Sequence, residues 1–316
     1  MIRLFRSFSW GALPPLLVFA VAWWTWAAWA MGPPDSGTGV PLVWVALNAI
    51  GVVLIGFLAA AVLQVHRLAN AGTLPGFLAV LLGSGAAAWS GPGAAALAAL
   101  AVVGAAHQLY GAYRQQGASL PVYNTGLFLG LAWLLSAPFV WMVGWALVTL
   151  PQLRSPRGKD FLGLLLGALT LPLLWGMWAY AFGDLPAALS RLTRGIAHVP
   201  TGADLRHGFP VLAILGAATG LAVLAYGSLT TRRTIQEQRA HRLYYTMLAF
   251  GWATVLLAGP PAGDPEVAFS PAPLLLPLSV LLGVYLLELP RKPADALLVA
   301  ATLATLGARA YAALAT

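Results

Sequence analysis

Apolar residues run along this chain in nearly unbroken blocks, and the polar residues sit between the blocks instead of alternating within them. A bilayer crossing needs about 20 predominantly apolar residues, and soluble helices rarely offer so many in a row. The pattern predicts helical spans near 10–31, 41–63, 73–90, 93–110, 122–136, 138–152, 160–182, 209–229, 243–258, 272–288 and 294–313. The expected fold is all-α, a polytopic transmembrane helix bundle of about eleven spans. It forms one membrane domain over residues 1–316 with no soluble appendage.

The stretch from Pro121 to Pro151 decides the count. As one helix of about 30 residues it is longer than a span requires. It would also send Arg154, Arg157 and Lys159 to the side opposite Arg114. A break at Ser136-Ala137-Pro138 gives two short helices and returns all four cations to one side. Of the 17 basic residues, only Arg191, Arg194, Arg206 and Arg309 then fall on the far side. By the positive-inside rule the N-terminus is cytoplasmic, in a bacterial inner membrane, and Arg3 and Arg6 precede a signal anchor that is not cleaved.

Composition fits this class. Apolar residues make up 60% of the chain, which has 34 glycines and 23 prolines, both commoner in membrane helices than in soluble ones. The pairs Gly126/Gly130, Gly163/Gly167 and Gly216/Gly220 are spaced to let helix backbones approach closely. There is no cysteine, which excludes disulfides, thiolate metal sites and cysteine nucleophiles. The net charge of +8 is spread over the flanks of apolar blocks, so it speaks for topology and not for nucleic acid.

Candidate chemistry lies outside the spans. The external segment 184–208 begins with a stretch, 184–199, that has Asp184 placed to cap a helix and Pro186 in its first turn. Leu185, Leu189, Leu192, Ile196 and Val199 recur at helical spacing, with Arg191, Arg194 and His198 opposite. Such a helix lies along the outer boundary, where its arginines either snorkel to headgroups or clamp a diphosphate or lipid phosphate. Arg206 and His207 join the phosphate-binding set, with Asp204 near enough in sequence to neutralise Arg206. Asp35, in the turn Gly32-Pro33-Pro34-Asp35-Ser36-Gly37, is either a general base or an ordinary turn residue. His198 is the other candidate acid/base group.

His66, His107 and His241 fall near cytoplasmic span ends, none paired at i,i+4 with another ligand, so neither a metal nor a cofactor is expected. No P-loop, dinucleotide fingerprint, nucleophile elbow or His-Glu-x-x-His motif is present. The basic segment 230–242 reads as a cytoplasmic loop that anchors topology.

Two stretches carry a resemblance. Asn124–Ala132, followed by Leu135-Ser136-Ala137-Pro138 and Arg154, is one; Pro277–Leu282 before Arg291-Lys292 is the other. With the Arg3–Arg6 start they resemble an uncharacterised family of polytopic membrane proteins typical of Bacteroidota. Its members have sometimes carried the label beta-carotene monooxygenase. Soluble enzymes of that name hold iron with four histidines in a propeller, a fold and cluster this sequence does not offer.

A wider likeness bears on function. The helix Gly126–Ala132, a short external break, and a second helix ending in cations is similar to a pattern in the GT-C class of integral-membrane glycosyltransferases. That class uses polyprenyl-phosphate sugars, with an acid in the first external loop and amphipathic helices along the outer surface. The resemblance implies those roles for Asp35 and the 184–199 helix, although the loop over 32–40 is shorter than that class usually carries. The expected function is glycan assembly on the outer face with a polyprenyl-phosphate lipid as partner. The alternatives are a non-catalytic subunit of a membrane complex and a transporter or lipid flippase.

Overall fold

The computed structural model describes residues 13–30, 42–65, 74–84, 94–114, 119–153, 155–193, 196, 202–230, 235–257 and 272–315. Among them the chain is helical with no strand. In chain order the helices are α1 (Leu13–Ala30), α2 (Leu42–Val65), α3 (Leu74–Ser84), α4 (Ala94–Arg114) and α5 (Ser119–Leu135). A 3-10 turn, Ala137–Val140, leads into α6 (Trp141–Leu153) and α7 (Gly158–Ala181). Then come α8 (Leu185–Thr193), α9 (Gly202–Thr230), α10 (Ile235–Leu257), α11 (Ala272–Glu288) and α12 (Arg291–Ala315).

Among the described residues two helices, over Ala94–Tyr113 and Gly158–Ala181, are long and apolar enough to cross a membrane. They differ in surroundings: 56% of the first window is buried inside the protein and only 22% of the second. The other apolar stretches, counted over residues whose side chains are described, run for 10–17 residues. The centre of the molecule is α11, where every residue from Ala272 to Val284 is buried. It is enclosed by α2, α3, α4, α9 and α10, as expected of a helix apolar on all sides.

The break predicted at Ser136-Ala137-Pro138 is present. Ser136 adopts an extended conformation (φ −151°, ψ 109°), and Pro138 stands in the first turn of the 3-10 segment. What requires the reversal is the register of α5 on α7. Gly126 faces the Leu164 carbonyl, Gly130 faces the Ala168 carbonyl, and Gly167 faces the Tyr123 carbonyl. Both first pairs have the same offset, so α5 and α7 run parallel. Between them the chain must return, and α6 is that return. Ser119 and Gly158 therefore share one end of the bundle, where Arg157 and Lys159 are exposed. We call this the basic end.

Other contacts continue the alternation. Gly56 packs on Gly76 and Gly83 on Val52, which makes α2 and α3 antiparallel. Gly83 with Leu275 and Gly283 with Pro75 do the same for α3 and α11. On α9 and α10, the Tyr245 hydroxyl donates to the Ala222 carbonyl (2.6 Å) and the Trp252 indole to Thr219 Oγ1 (2.9 Å).

Proline and glycine cooperate at two crossings. Pro172 lacks an N–H, so the Ala168 carbonyl one turn earlier has no intrahelical donor, and Gly130 of α5 lies against that carbonyl. Pro277 similarly frees the Pro273 carbonyl, and a Cβ on Gly251 of α10 would stand 3.0 Å from it. Each glycine lets a neighbouring backbone cover a polar group that its own helix leaves open.

Two expectations need correction. The segment 230–242 is not a loop: α9 ends at Thr230 and α10 begins at Ile235, leaving 231–234 as the connection. The Gly-x-x-x-Gly pairs are also unequal. Gly126, Gly130 and Gly167 are closed by backbone, whereas Gly163, Gly216 and Gly220 have nothing within 4 Å of a built Cβ. Spacing alone does not reveal which face of a helix meets a partner.

Leucine at Gly126 or Gly130 should therefore lower stability by about 1–3 kcal/mol, because the backbone opposite cannot yield. Leucine at Gly216 or Gly220 should stay within about 0.5 kcal/mol of wild type. Thermal unfolding in detergent compares the four; equal losses at both pairs would contradict the α5–α7 crossing.

Candidate functional site

Opposite the basic end, α7 stops in a turn that aims the chain across the bundle. Gly183 has φ +79°, a left-handed conformation that glycine adopts without strain. The Asp184 N–H donates to the Ala179 carbonyl (2.8 Å) and the Gly183 N–H to the Tyr180 carbonyl (3.2 Å). This is the Schellman arrangement, which satisfies the last carbonyls of a helix while reversing its direction. The Asp184 carbonyl then accepts from the Ala188 N–H (3.0 Å), so Asp184 occupies the N-cap position of α8 as the sequence predicts.

Two tryptophans fasten the segment. The Trp133 indole, near the end of α5, donates to the Leu192 carbonyl (3.0 Å). The Trp141 indole, at the start of α6, donates to the Ile196 carbonyl (2.9 Å). Ala188 and Leu192 are buried beneath α8. The carbonyls at a helix C-terminus lack internal donors, and the two indoles supply them from neighbouring elements. The α5–α6 reversal thus serves as the platform for α8.

Around this platform α7 presents an aromatic collar. Trp178, Tyr180 and Phe182 are all exposed, with the Trp178 and Phe182 rings 4.7 Å apart. Below the collar Leu162, Leu166, Leu173, Leu174 and Met177 are each more than half exposed. Below these stand Arg157 and Lys159, also exposed. A basic foot, an apolar shaft and an aromatic collar on one exposed helix is the order a lipid-facing span requires.

The predicted helix over 184–199 is shorter than expected, ending at Thr193. Its faces also differ: Leu189 is 51% exposed, while Ala188 takes the inward position. Leu189 therefore stands outside, and Arg191, two residues on and on the other flank of the helix, is also exposed. An apolar and a cationic side chain together on the outer side suit a helix at a lipid boundary. The hydroxyls of Ser190 and Thr193 donate to the Ala187 and Leu189 carbonyls (2.8 and 2.9 Å), so both are already engaged by their own helix.

Asp35, Arg194 and His198 lie outside the described residues. Arg206 and His207 fall within the first turns of α9, their side chains not among those described. What the structure assembles is thus a mounted helix carrying Arg191, with Arg206 and His207 on the helix that follows. The planar guanidinium suits bidentate recognition of phosphate. From Leu185 to Thr193 there is neither carboxylate nor imidazole, so this helix carries no proton-transfer group of its own. Among the described residues no group of three or more potential ligands could hold a metal ion.

The sequence reading missed the indole clamps, because tryptophans in apolar runs look like packing. The available signal was their position, with Trp133 and Trp141 flanking the predicted break. The chain matches no protein-family model, no curated protein and no solved structure.

Replacing Trp133 or Trp141 by Phe should keep the ring and delete one donor, at a cost of about 1 kcal/mol. Amide exchange over 185–193 should accelerate in both variants, more than over α5 itself. Unchanged exchange would show that α8 is held by its buried face alone.

Proposed function

We propose that this is a bacterial multi-pass membrane protein that binds a phosphate-bearing lipid at the α8 end, on the outer face of the inner membrane. The mounted α8 carries the reading, since its indole clamps hold the backbone that carries the exposed Arg191, directly after the aromatic collar in the chain. With the backbone already held, only the arginine side chain itself has to order when it meets lipid phosphate. The membrane setting is supported by α7, whose leucines would form a large exposed apolar patch in water.

In this reading the helices from α1 to α12 other than α8 supply about eleven crossings. The α5 and α6 pair spans as two short helices: α5 has 17 residues and is about 25 Å long at 1.5 Å apiece, and α6 has 13 residues and is about 20 Å long, extended by the 3-10 turn before it. The lipid class we propose is a polyprenyl-phosphate-linked sugar. Arg191, Arg194, Arg206 and His207 would bind its phosphate, and Asp35 or His198 would supply acid/base chemistry for glycosyl transfer. The likeness to the GT-C class stands behind this choice of lipid. A second reading, a subunit of a membrane complex, is favoured by the open Gly216/Gly220 face of α9.

Two measurements test the proposal. Because the chain has no cysteine, Ser190→Cys and Ser155→Cys report sidedness directly. A membrane-impermeant maleimide should label Ser190→Cys in intact cells and Ser155→Cys only after permeabilisation; the reverse pattern would overturn the orientation. Native mass spectrometry of the gently extracted protein should show a prenyl-phosphate adduct in wild type that is lost in Arg191→Ala/Arg194→Ala. No adduct in either form would favour the complex-subunit reading.

A further inference from the structure

The side of α7 that faces away from the protein is one continuous row. Lys159, Leu162, Leu166, Leu169 and Leu173 follow at intervals of three or four residues, so they stand on one side of the helix. All five are exposed, the leucines at 40–62%. Leu164, Gly167, Ala168 and Pro172, on the other side, are buried, and that side meets α5 at the Gly126 and Gly130 crossing. The row has a notch beside its lower end. Gly163 lies between Lys159 and Leu166 along the helix, and a Cβ built on it would meet nothing within 4 Å. The missing side chain leaves a recess next to the leucines, one turn in from the lysine.

Charge at the foot of this row is one-sided. Arg157 and Lys159 are exposed, and the only carboxylate from Ser155 to Ala181 is Asp160. That acid is buried at 4%, and its carboxylate accepts the Arg157 N–H (3.0 Å) at the first turn of α7. The anionic group is thus turned inward while the two cationic heads are left at the surface. Ser119 and Leu120, exposed at the start of α5 on the same end, add no charge.

The dimensions match one leaflet. From Lys159 to Leu169 the helix rises about 15 Å, half of a hydrocarbon core of about 30 Å. A cationic foot joined to an apolar row of that length meets both parts of a phospholipid, its phosphate and its acyl chain.

We infer that the foot of α7 is a binding site for an anionic phospholipid of the inner leaflet. Arg157 and Lys159 hold its headgroup, the guanidinium as a planar fork and the ammonium as a point charge. An acyl chain runs along Leu162, Leu166 and Leu169 and enters the recess at Gly163. A zwitterionic lipid offers the same phosphate but carries a cation of its own, which these two side chains repel, so the site selects net negative charge. The inference rests on the membrane reading and orientation given above, and on no ligand at α8.

Cations on the cytoplasmic side set topology wherever they occur. What distinguishes this pair is the row attached to it, and Arg242 supplies the contrast. Contacts of Thr149 with Thr246 and of Gly144 with Phe250 set α10 antiparallel to α6, so α10 starts at the basic end. Arg242 is exposed there, but Tyr245 and Thr246, one turn on, are partly buried, so no exposed apolar row leads from it.

Native mass spectrometry of the full chain, exchanged in detergent against equal amounts of phosphatidylglycerol and phosphatidylethanolamine, tests the site. Wild type should retain phosphatidylglycerol in preference. Arg157→Gln keeps the backbone N–H that Asp160 accepts, and it and Lys159→Gln should each lower the preference about fivefold, the worth of one cation near an anionic surface. Thermal midpoints should not change. Arg242→Gln should leave the preference in place, and so should Arg191→Ala/Arg194→Ala at the opposite end. Equal retention of the two lipids by wild type would overturn the site and leave the cations as topology markers alone. An equal loss in Arg242→Gln would overturn it too, by reducing the effect to total charge. A loss in Arg191→Ala/Arg194→Ala would place the lipid at α8 instead. A prenyl-phosphate adduct differs in mass from both probes, so failure here and failure of the α8 reading are separate results.

Discussion

Backbone contact between α5 and α7 is the constraint from which the rest of the architecture follows. Three glycines, Gly126, Gly130 and Gly167, bring two helix backbones together where no side chain fits between them. Such a crossing tolerates only one register, and that register makes the two helices parallel. Parallel neighbours in one chain need a return element, so the extended Ser136 and the 3-10 turn are consequences of the crossing as much as causes of it. The same reversal places Trp133 and Trp141 at one end. From there they reach the carbonyls of Leu192 and Ile196 and mount α8. A packing decision inside the bundle thereby fixes the position of an arginine on its surface.

Much of this was legible in the sequence and some was not. Long apolar blocks announced helices, and the placement of Arg114 against Arg154, Arg157 and Lys159 pointed to the break at 136–138. Charge carried that information because a cation's side of the membrane depends on how often the chain has crossed. Asp184 and Pro186 correctly marked the start of α8, but its end did not follow from periodicity. The apolar spacing continues to Val199, whereas the helix stops at Thr193. Of the leucines that share the predicted apolar face, Leu192 is buried against the protein while Leu189 is half exposed, so periodicity alone does not tell which of them the protein itself covers.

The chemical site was less legible than the fold for a related reason. Its supports are ordinary packing residues, since an indole in an apolar run gives no sign of the carbonyl it will reach. The three Gly-x-x-x-Gly pairs teach the same lesson. One is closed by backbone at both glycines, one at a single glycine, and one at neither.

Polar groups in the interior follow a common rule. Thr125, Thr149, Thr170, Thr219, Thr254 and Thr302 each donate to the carbonyl four residues earlier, and Thr246, Ser279 and Thr305 to the one three earlier. Short hydroxyl side chains in an apolar medium satisfy themselves first on their own helix, and some of them, such as Thr149 with Thr246, also touch a neighbouring one. Indoles reach further, to carbonyls on neighbouring helices, as Trp145 does to Leu243 (3.3 Å). Tyr245 follows the same rule on α9. A phenol can therefore be accommodated here whenever packing alone is at stake, and phenylalanine would serve at lower cost where it is not. Tyr244 has neither outlet among the described residues and packs its ring against a second buried tyrosine, Tyr110, so there the hydroxyl is a cost that the packing of the ring has to offset.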